Sequence, residues 1–221
     1  MRASRTLPIA ALAAVSAVLV AVPAYADAAA VLTTGSLGGD AVAVGDVVSA
    51  GVAAGTTADF NTAAGGTTGV KCAQSTFVAT VTDNPEAPGT ASESLTEQAF
   101  ASCTANILGV TSVNSVTVNN LPFATTVASD GTVTVAGAAG APVQTTLVLG
   151  TILGSVTCVF QATNGSISGV TSNDDNSIAF TDQPFTKSSG PITCPSSGFF
   201  TARYAPVVDT TVGLAPAVFT N

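Results

Sequence analysis

The side chains in this sequence best suited to chemistry are its carboxylates and its four cysteines; the 221 residues include no histidine. That absence removes the commonest general base, the Ser-His-Asp and Cys-His arrangements and histidine metal sites. No G-x-S-x-G elbow, P-loop or G-x-G-x-x-G turn occurs. A carboxylate pair that hydrolyses glycosides remains conceivable, with Glu93, Glu97, Asp182 and Asp209 as its possible members. Glu97-Gln98 and Asp182-Gln183 occupy matching places in two similar motifs, which favours a shared structural role such as a hydrogen bond to a turn backbone. Carbohydrate enzymes also use aromatic platforms, and beyond residue 26 the chain offers one tyrosine, Tyr204, and no tryptophan. The run Asn173-Asp174-Asp175-Asn176 has oxygen ligands for calcium but neither the spacing nor the glutamate of an EF-hand, so it reads as a solvated turn. No catalytic, cofactor-binding or metal residue is assigned, no cofactor is implied, and the chain reads as a non-enzyme.

The cysteines have a different use. Cys72, Cys103, Cys158 and Cys194 form no C-x-x-C pair, and an even count in an exported protein implies two disulfides. The turn signal Asp83-Asn84-Pro85 through Gly89 lies midway between Cys72 and Cys103, so a hairpin folded there brings these two together. Each bridge would close a loop of about 30 residues and contribute roughly 3–4 kcal/mol through the unfolded chain.

Export itself is written at the start. Arg2 and Arg5 precede an apolar run from Ile9 to Val22, and Ala24-Tyr25-Ala26 is an A-x-A cleavage site. Residues 1–26 therefore read as a signal peptide, with an apolar core too short to span a bilayer comfortably. The mature chain would begin at Asp27 and be secreted. It keeps three basic residues, Lys71, Lys187 and Arg203, against 13 acidic ones, for a net charge of −10. Such a surface repels nucleic-acid phosphates and anionic lipid, so neither nucleic acid nor, after cleavage, membrane is an expected partner.

Elements that would position these residues are strands. Charged residues make up 8% of the chain and hydrophobic ones 47%, the reverse of a disordered composition. Val and Thr dominate while helix formers are scarce, which points to an all-β fold. Asp130-Gly131 joins the alternating segments Thr125–Ala128 and Thr132–Val135 as a hairpin. Asn164-Gly165 and 173–176 are further turns. Phe77, Ala79 and Val81 would share one strand face, and Val116 and Val118 repeat the alternation. Most of the ten phenylalanines should be core, whereas adjacent Phe199 and Phe200 would point to opposite faces.

The chain also resembles itself. Leu95-Thr96-Glu97-Gln98-Ala99-Phe100 matches Phe180-Thr181-Asp182-Gln183-Pro184-Phe185 at an offset of 85, and Thr125-Thr126-Val127 recurs as Thr210-Thr211-Val212 at the same offset. Pro122 and Pro206 precede those triplets, and Cys72 and Cys103 correspond to Cys158 and Cys194. These landmarks suggest two related β units, 27–129 and 130–221, each with its own disulfide and about seven short strands. The expected architecture is antiparallel and sandwich-like, without the core tryptophan of immunoglobulin domains; its rival is one continuous sandwich or barrel with internal pseudo-symmetry.

The signal sequence, the segment around Thr68–Thr82, the Leu95–Cys103 motif, Ser115–Val127 and Phe185–Ser189 together resemble a group of uncharacterised small exported proteins of high-GC Gram-positive bacteria. The resemblance implies secretion and transfers no activity. In composition alone the chain is similar to enediyne chromoprotein apoproteins, small sandwiches that hold an apolar ligand in a cleft.

The leading expectation is a non-catalytic extracellular structural or interaction protein, with strand edges free to pair with a partner or another copy. A small-molecule carrier is the alternative; it requires an apolar cavity of several hundred Å³ lined by Phe and Leu. A carboxylate-dyad hydrolase ranks lower. A protease inhibitor would use the Pro85–Gly89 turn as a protruding loop.

Overall fold

The computed structural model describes residues 28–221, so the expected signal peptide lies outside the described residues. Sixteen strands follow in chain order among them. They are β1 (Leu32–Thr34), β2 (Asp40–Ala41), β3 (Val47–Gly51), β4 (Ala58–Asn61), β5 (Gly69–Asp83), β6 (Thr90–Ala105), β7 (Val110–Asn119) and β8 (Phe123–Ala128). Then come β9 (Thr132–Ala136), β10 (Gln144–Thr151), β11 (Gly154–Ala162), β12 (Ser166–Ser172), β13 (Ser177–Ser189), β14 (Ser197–Tyr204), β15 (Val208–Asp209) and β16 (Val218–Thr220). No described helix is long and apolar enough to cross a membrane.

Local chemistry accounts for the hairpins. Gly131 takes a positive φ of 86° in the β8–β9 turn, which costs a residue without Cβ nothing. Asn164-Gly165 connects β11 to β12, 173–176 connects β12 to β13, and 84–89 connects β5 to β6. Phe77, Ala79 and Val81 are all buried along β5, and the intervening Val78, Thr80 and Thr82 are more exposed.

The antiparallel sheet closes on itself. Hydrogen-bonded neighbours run β12–β9–β8–β6–β5–β4–β14–β13, and β13 returns to pair with β12. The result is an eight-stranded closed barrel with extra strands: antiparallel and all-β as expected, but a continuous barrel rather than a sandwich. Such a barrel has an interior just wide enough to be filled by side chains or to hold one small ligand. Beyond the ring, β13 pairs with β11, which continues through β10 to β7, while β3 pairs with β5 and β15. A separate small sheet, β16–β1–β2, joins the two ends of the described chain.

Residues 27–129 supply four adjacent barrel strands, β8, β6, β5 and β4, and residues 130–221 supply β14, β13, β12 and β9. Five pairings join the two ranges: β4 with β14, β7 with β10, β3 with β15, β8 with β9 and β1 with β16. Buried residues of both ranges form one core, from Val31 and Val70 to Phe180 and Val218.

Disulfides join Cys72 to Cys103 and Cys158 to Cys194. The first links directly opposed residues of β5 and β6, with Cα atoms 3.9 Å apart. The second fastens the loop before β14 to β11. Two such bridges suit an oxidising, extracellular environment.

Candidate functional site

Inward-facing residues of all eight barrel strands, with β7 and β10, surround an apolar cavity of about 100 Å³. Its wall is apolar, with Phe and Tyr side chains from β4, β5, β6, β8, β13 and β14 set among Val, Ala, Leu and Ile. Phe77, Tyr204, Phe180, Phe200 and Phe100 form a continuous series of ring contacts, with centroids 5.4, 6.5, 6.2 and 6.2 Å apart in turn. Phe60 and Phe185 make a second contact at 5.5 Å. All of these contacts but the tilted Phe180–Phe200 pair are edge-on, and edge-on pairs contribute beyond their buried area. Phe199 and Phe200 are both half-buried, and it is Phe200 that reaches the cavity.

Few polar groups reach the wall. Gln98 donates through Nε2 to Ser75 Oγ at 2.8 Å and to Tyr204 Oη at 2.9 Å, and Ser75 Oγ and Tyr204 Oη lie 2.8 Å apart. Burial pushes the Tyr204 hydroxyl up to about 12, against the opposing pull of those two hydrogen bonds. Asp59 is held by Lys71 at 2.6 Å.

Glu93 differs from the rest. It is 8% exposed, lines the cavity, and among the described residues its carboxyl accepts no hydrogen bond and pairs with no cation. Loss of water around it pushes its carboxyl up to about 7. Directly across the β6–β8 ladder stands Thr125, whose buried Oγ1 is likewise unpartnered. Two orphaned polar groups thus face one apolar space.

Access is suggested by the strand edges. β8 pairs with β6 only up to Leu95, and β7 pairs only with β10. β6 and β7 are joined by a short turn at 106–109, yet no hydrogen-bonded ladder connects them among the described residues. Gln98 and Phe100 on one side, with Val116 and Val118 on the other, belong to the cavity wall at this seam.

The other carboxylates considered from sequence do not converge there. Glu97 is exposed on β6. Asp182 accepts the Gly65 backbone N–H at 3.0 Å through both oxygens. Asp209 is buried on β15, where its Oδ1 accepts the Thr211 N–H. Of the four, only Glu93 lines the cavity. Gln183 does hydrogen-bond backbone, at Ser168 N and Thr181 O, whereas its sequence counterpart Gln98 bonds side chains. The 173–176 turn is a latch: Asn173 and Asn176 donate to Thr220 O and Val218 O, and Asp175 pairs with Arg203. Among the described residues, no three His, Cys, Asp or Glu side chains gather into a metal site. The Pro85–Gly89 turn is tied to the first described segment, with Val31 N donating to Pro85 O and Ala87 N to Ala29 O.

Neither protein-family models, curated proteins nor solved structures yield a match to this chain.

Glu93 is one of the four candidate carboxylates that the sequence offers, and what sets it apart from the other three is legible in its strand. Ala91, Glu93 and Leu95 alternate along β6 and all three are buried, so the period of two puts the carboxylate on the apolar face.

Proposed function

We propose that this protein is an exported barrel that takes up a small apolar molecule in its interior, rather than acting chiefly through its strand edges. The observation that carries the reading is the aromatic-walled cavity itself. At about 100 Å³ it is smaller than the several hundred Å³ of a drug-sized site, which limits the occupant to roughly one ring or a short branched chain. An engineered apolar cavity of about 150 Å³ in another protein accepts benzene. A one-ring probe such as toluene therefore tests the upper limit of what this cavity admits. It should bind by calorimetric titration, and a concentration about 100 times its Kd should stabilise the fold by about 2.7 kcal/mol. Ala79→Leu, which fills the cavity from β5, should remove binding and keep the fold. Absence of toluene binding to the unaltered protein, or binding indifferent to the filled cavity, would end the reading.

The export half rests on the segment 1–26 and on the two disulfides. Cleavage after Ala26 should leave Asp27 as the amino terminus of protein recovered from culture medium; recovery only from the cytoplasm, uncleaved, contradicts it.

We also read the barrel as a duplicated β unit whose copies exchange strands. Support comes from the matched landmarks at an offset of 85 and from the reciprocal pairings β4–β14 with β10–β7, and β3–β15 with β9–β8.

A further inference from the structure

A carboxyl without a partner inside an apolar barrel is an expensive feature, and nothing in the fold calls for it. Glu93 is flanked on its own strand by Ala91 and Leu95, and its cross-strand neighbours are Val81 and Thr125. At the offset of 85 its counterpart is Ile178, which lines the same cavity without a charge. A barrel wall of this shape can therefore be built with an apolar side chain at that place.

We propose that the molecule bound in this barrel is a small apolar amine, whose cationic nitrogen seats between the Glu93 carboxylate and the Thr125 hydroxyl while its hydrocarbon body fills the aromatic cavity. The inference rests on the cavity reading above and names the chemical class of its ligand.

Hydrogen-bonding capacity selects this class. A primary ammonium carries donors and no acceptor; an ionised carboxylate and a hydroxyl oxygen both accept. Each orphaned group would gain a charge-assisted bond, the stronger kind. An anionic ligand finds no free cation, because Lys71 on the adjoining strand is held by Asp59. A plain hydrocarbon would fill the space and leave both polar groups unsatisfied, with their desolvation uncompensated.

The proton balance is simple. In the empty barrel Glu93 holds its proton up to about pH 7. An ammonium entering from water displaces that proton to solvent, so the bound state is carboxylate and ammonium. Binding should therefore weaken about tenfold per pH unit below 7 and level off above it. The other titratable groups on the cavity wall are Asp59, already paired, and Tyr204, which stays protonated throughout this range.

The experiment compares benzylamine with toluene and benzyl alcohol, by calorimetry at pH 8, on the full chain with its disulfides intact. Benzylamine should bind at least tenfold more tightly than either neutral probe. In Glu93→Gln that preference should vanish, with benzylamine binding the variant no more tightly than toluene does. Equal binding of benzylamine and toluene to the unaltered protein overturns the amine inference and leaves the cavity reading in place. Binding of none of the three overturns both. A benzylamine preference that survives Glu93→Gln places the amine elsewhere and also overturns it. Should Glu93→Gln fail to fold, carbon-13 NMR of the glutamate carboxyls in the unaltered protein decides. Benzylamine at pH 6 must move one buried carboxyl signal to its ionised position, and no movement refutes the inference.

Discussion

At the scale of single residues, Glu93 sets how stability depends on pH. In the unfolded chain its carboxyl ionises at an ordinary 4.5, and in the barrel burial pushes it up to about 7. Below pH 4.5 both states hold the proton and the group contributes no difference. Between 4.5 and 7 the unfolded chain gives up the proton first, so stability falls as pH rises. Above 7 both states are ionised and the full penalty stands, about 3 kcal/mol. Glu93→Gln removes the titration. The variant should match the parent near pH 4 and exceed it by about 3 kcal/mol at pH 8, as measured by urea unfolding. Parallel stability curves for the two proteins would show that Glu93 is not buried without a partner. The identity of this residue as inward-facing is legible from the alternation Ala91, Glu93, Leu95. Its lack of a partner is not, because the residue opposite, Thr125, comes from β8, whose hairpin with β9 is declared by Asp130-Gly131 but whose pairing with β6 has no local signal.

Among elements, the hairpins follow from short-range chemistry and the closure does not. Asp130-Gly131 and Asn164-Gly165 mark turns because glycine takes positive φ freely, and the observed strands begin and end beside them. The placing of Cys72 opposite Cys103 follows from the midpoint of the β5–β6 hairpin. The β4–β14 and β12–β13 ladders complete the ring. The first unites residues about 140 positions apart, and no local turn signal encodes such a contact. Tight packing at the β4–β14 ladder offers a test. A Cβ placed on Gly198 of β14 would overlap the Phe60 ring of β4, so this position tolerates no side chain without moving the ring. Gly198→Ala should cost about 1–3 kcal/mol by overpacking and displace Phe60, which lines the cavity. Toluene affinity should fall with stability. Gly213→Ala, where a Cβ meets nothing within 4 Å, is the control and should leave both unchanged in thermal unfolding and titration.

For the whole molecule, the two ends of the described chain are fastened together, and that fastening is a separate source of stability from the barrel. β1 pairs with β16, Leu32 opposite Thr220. The Asn221 side chain then bridges the first segment: its Nδ2 donates to Ala30 O and Thr33 Oγ1, each at 3.0 Å, and its Oδ1 accepts from Gly38 N at 2.7 Å. On the other flank Asn84, in the β5–β6 turn, accepts from Leu32 N and donates to Leu32 O and Val42 O. Val31 and Thr33 are wholly buried by this arrangement, so polar groups around them have no water to turn to if a partner is lost. Asn221→Ala should therefore cost about 1–3 kcal/mol in urea unfolding. Hydrogen exchange should localise the loss, with the amides of residues 31–35 exchanging faster and those of β5, paired on both sides along much of its length, unchanged. Acceleration spread evenly through β5 would mean that the terminal clasp and the barrel unfold as one unit.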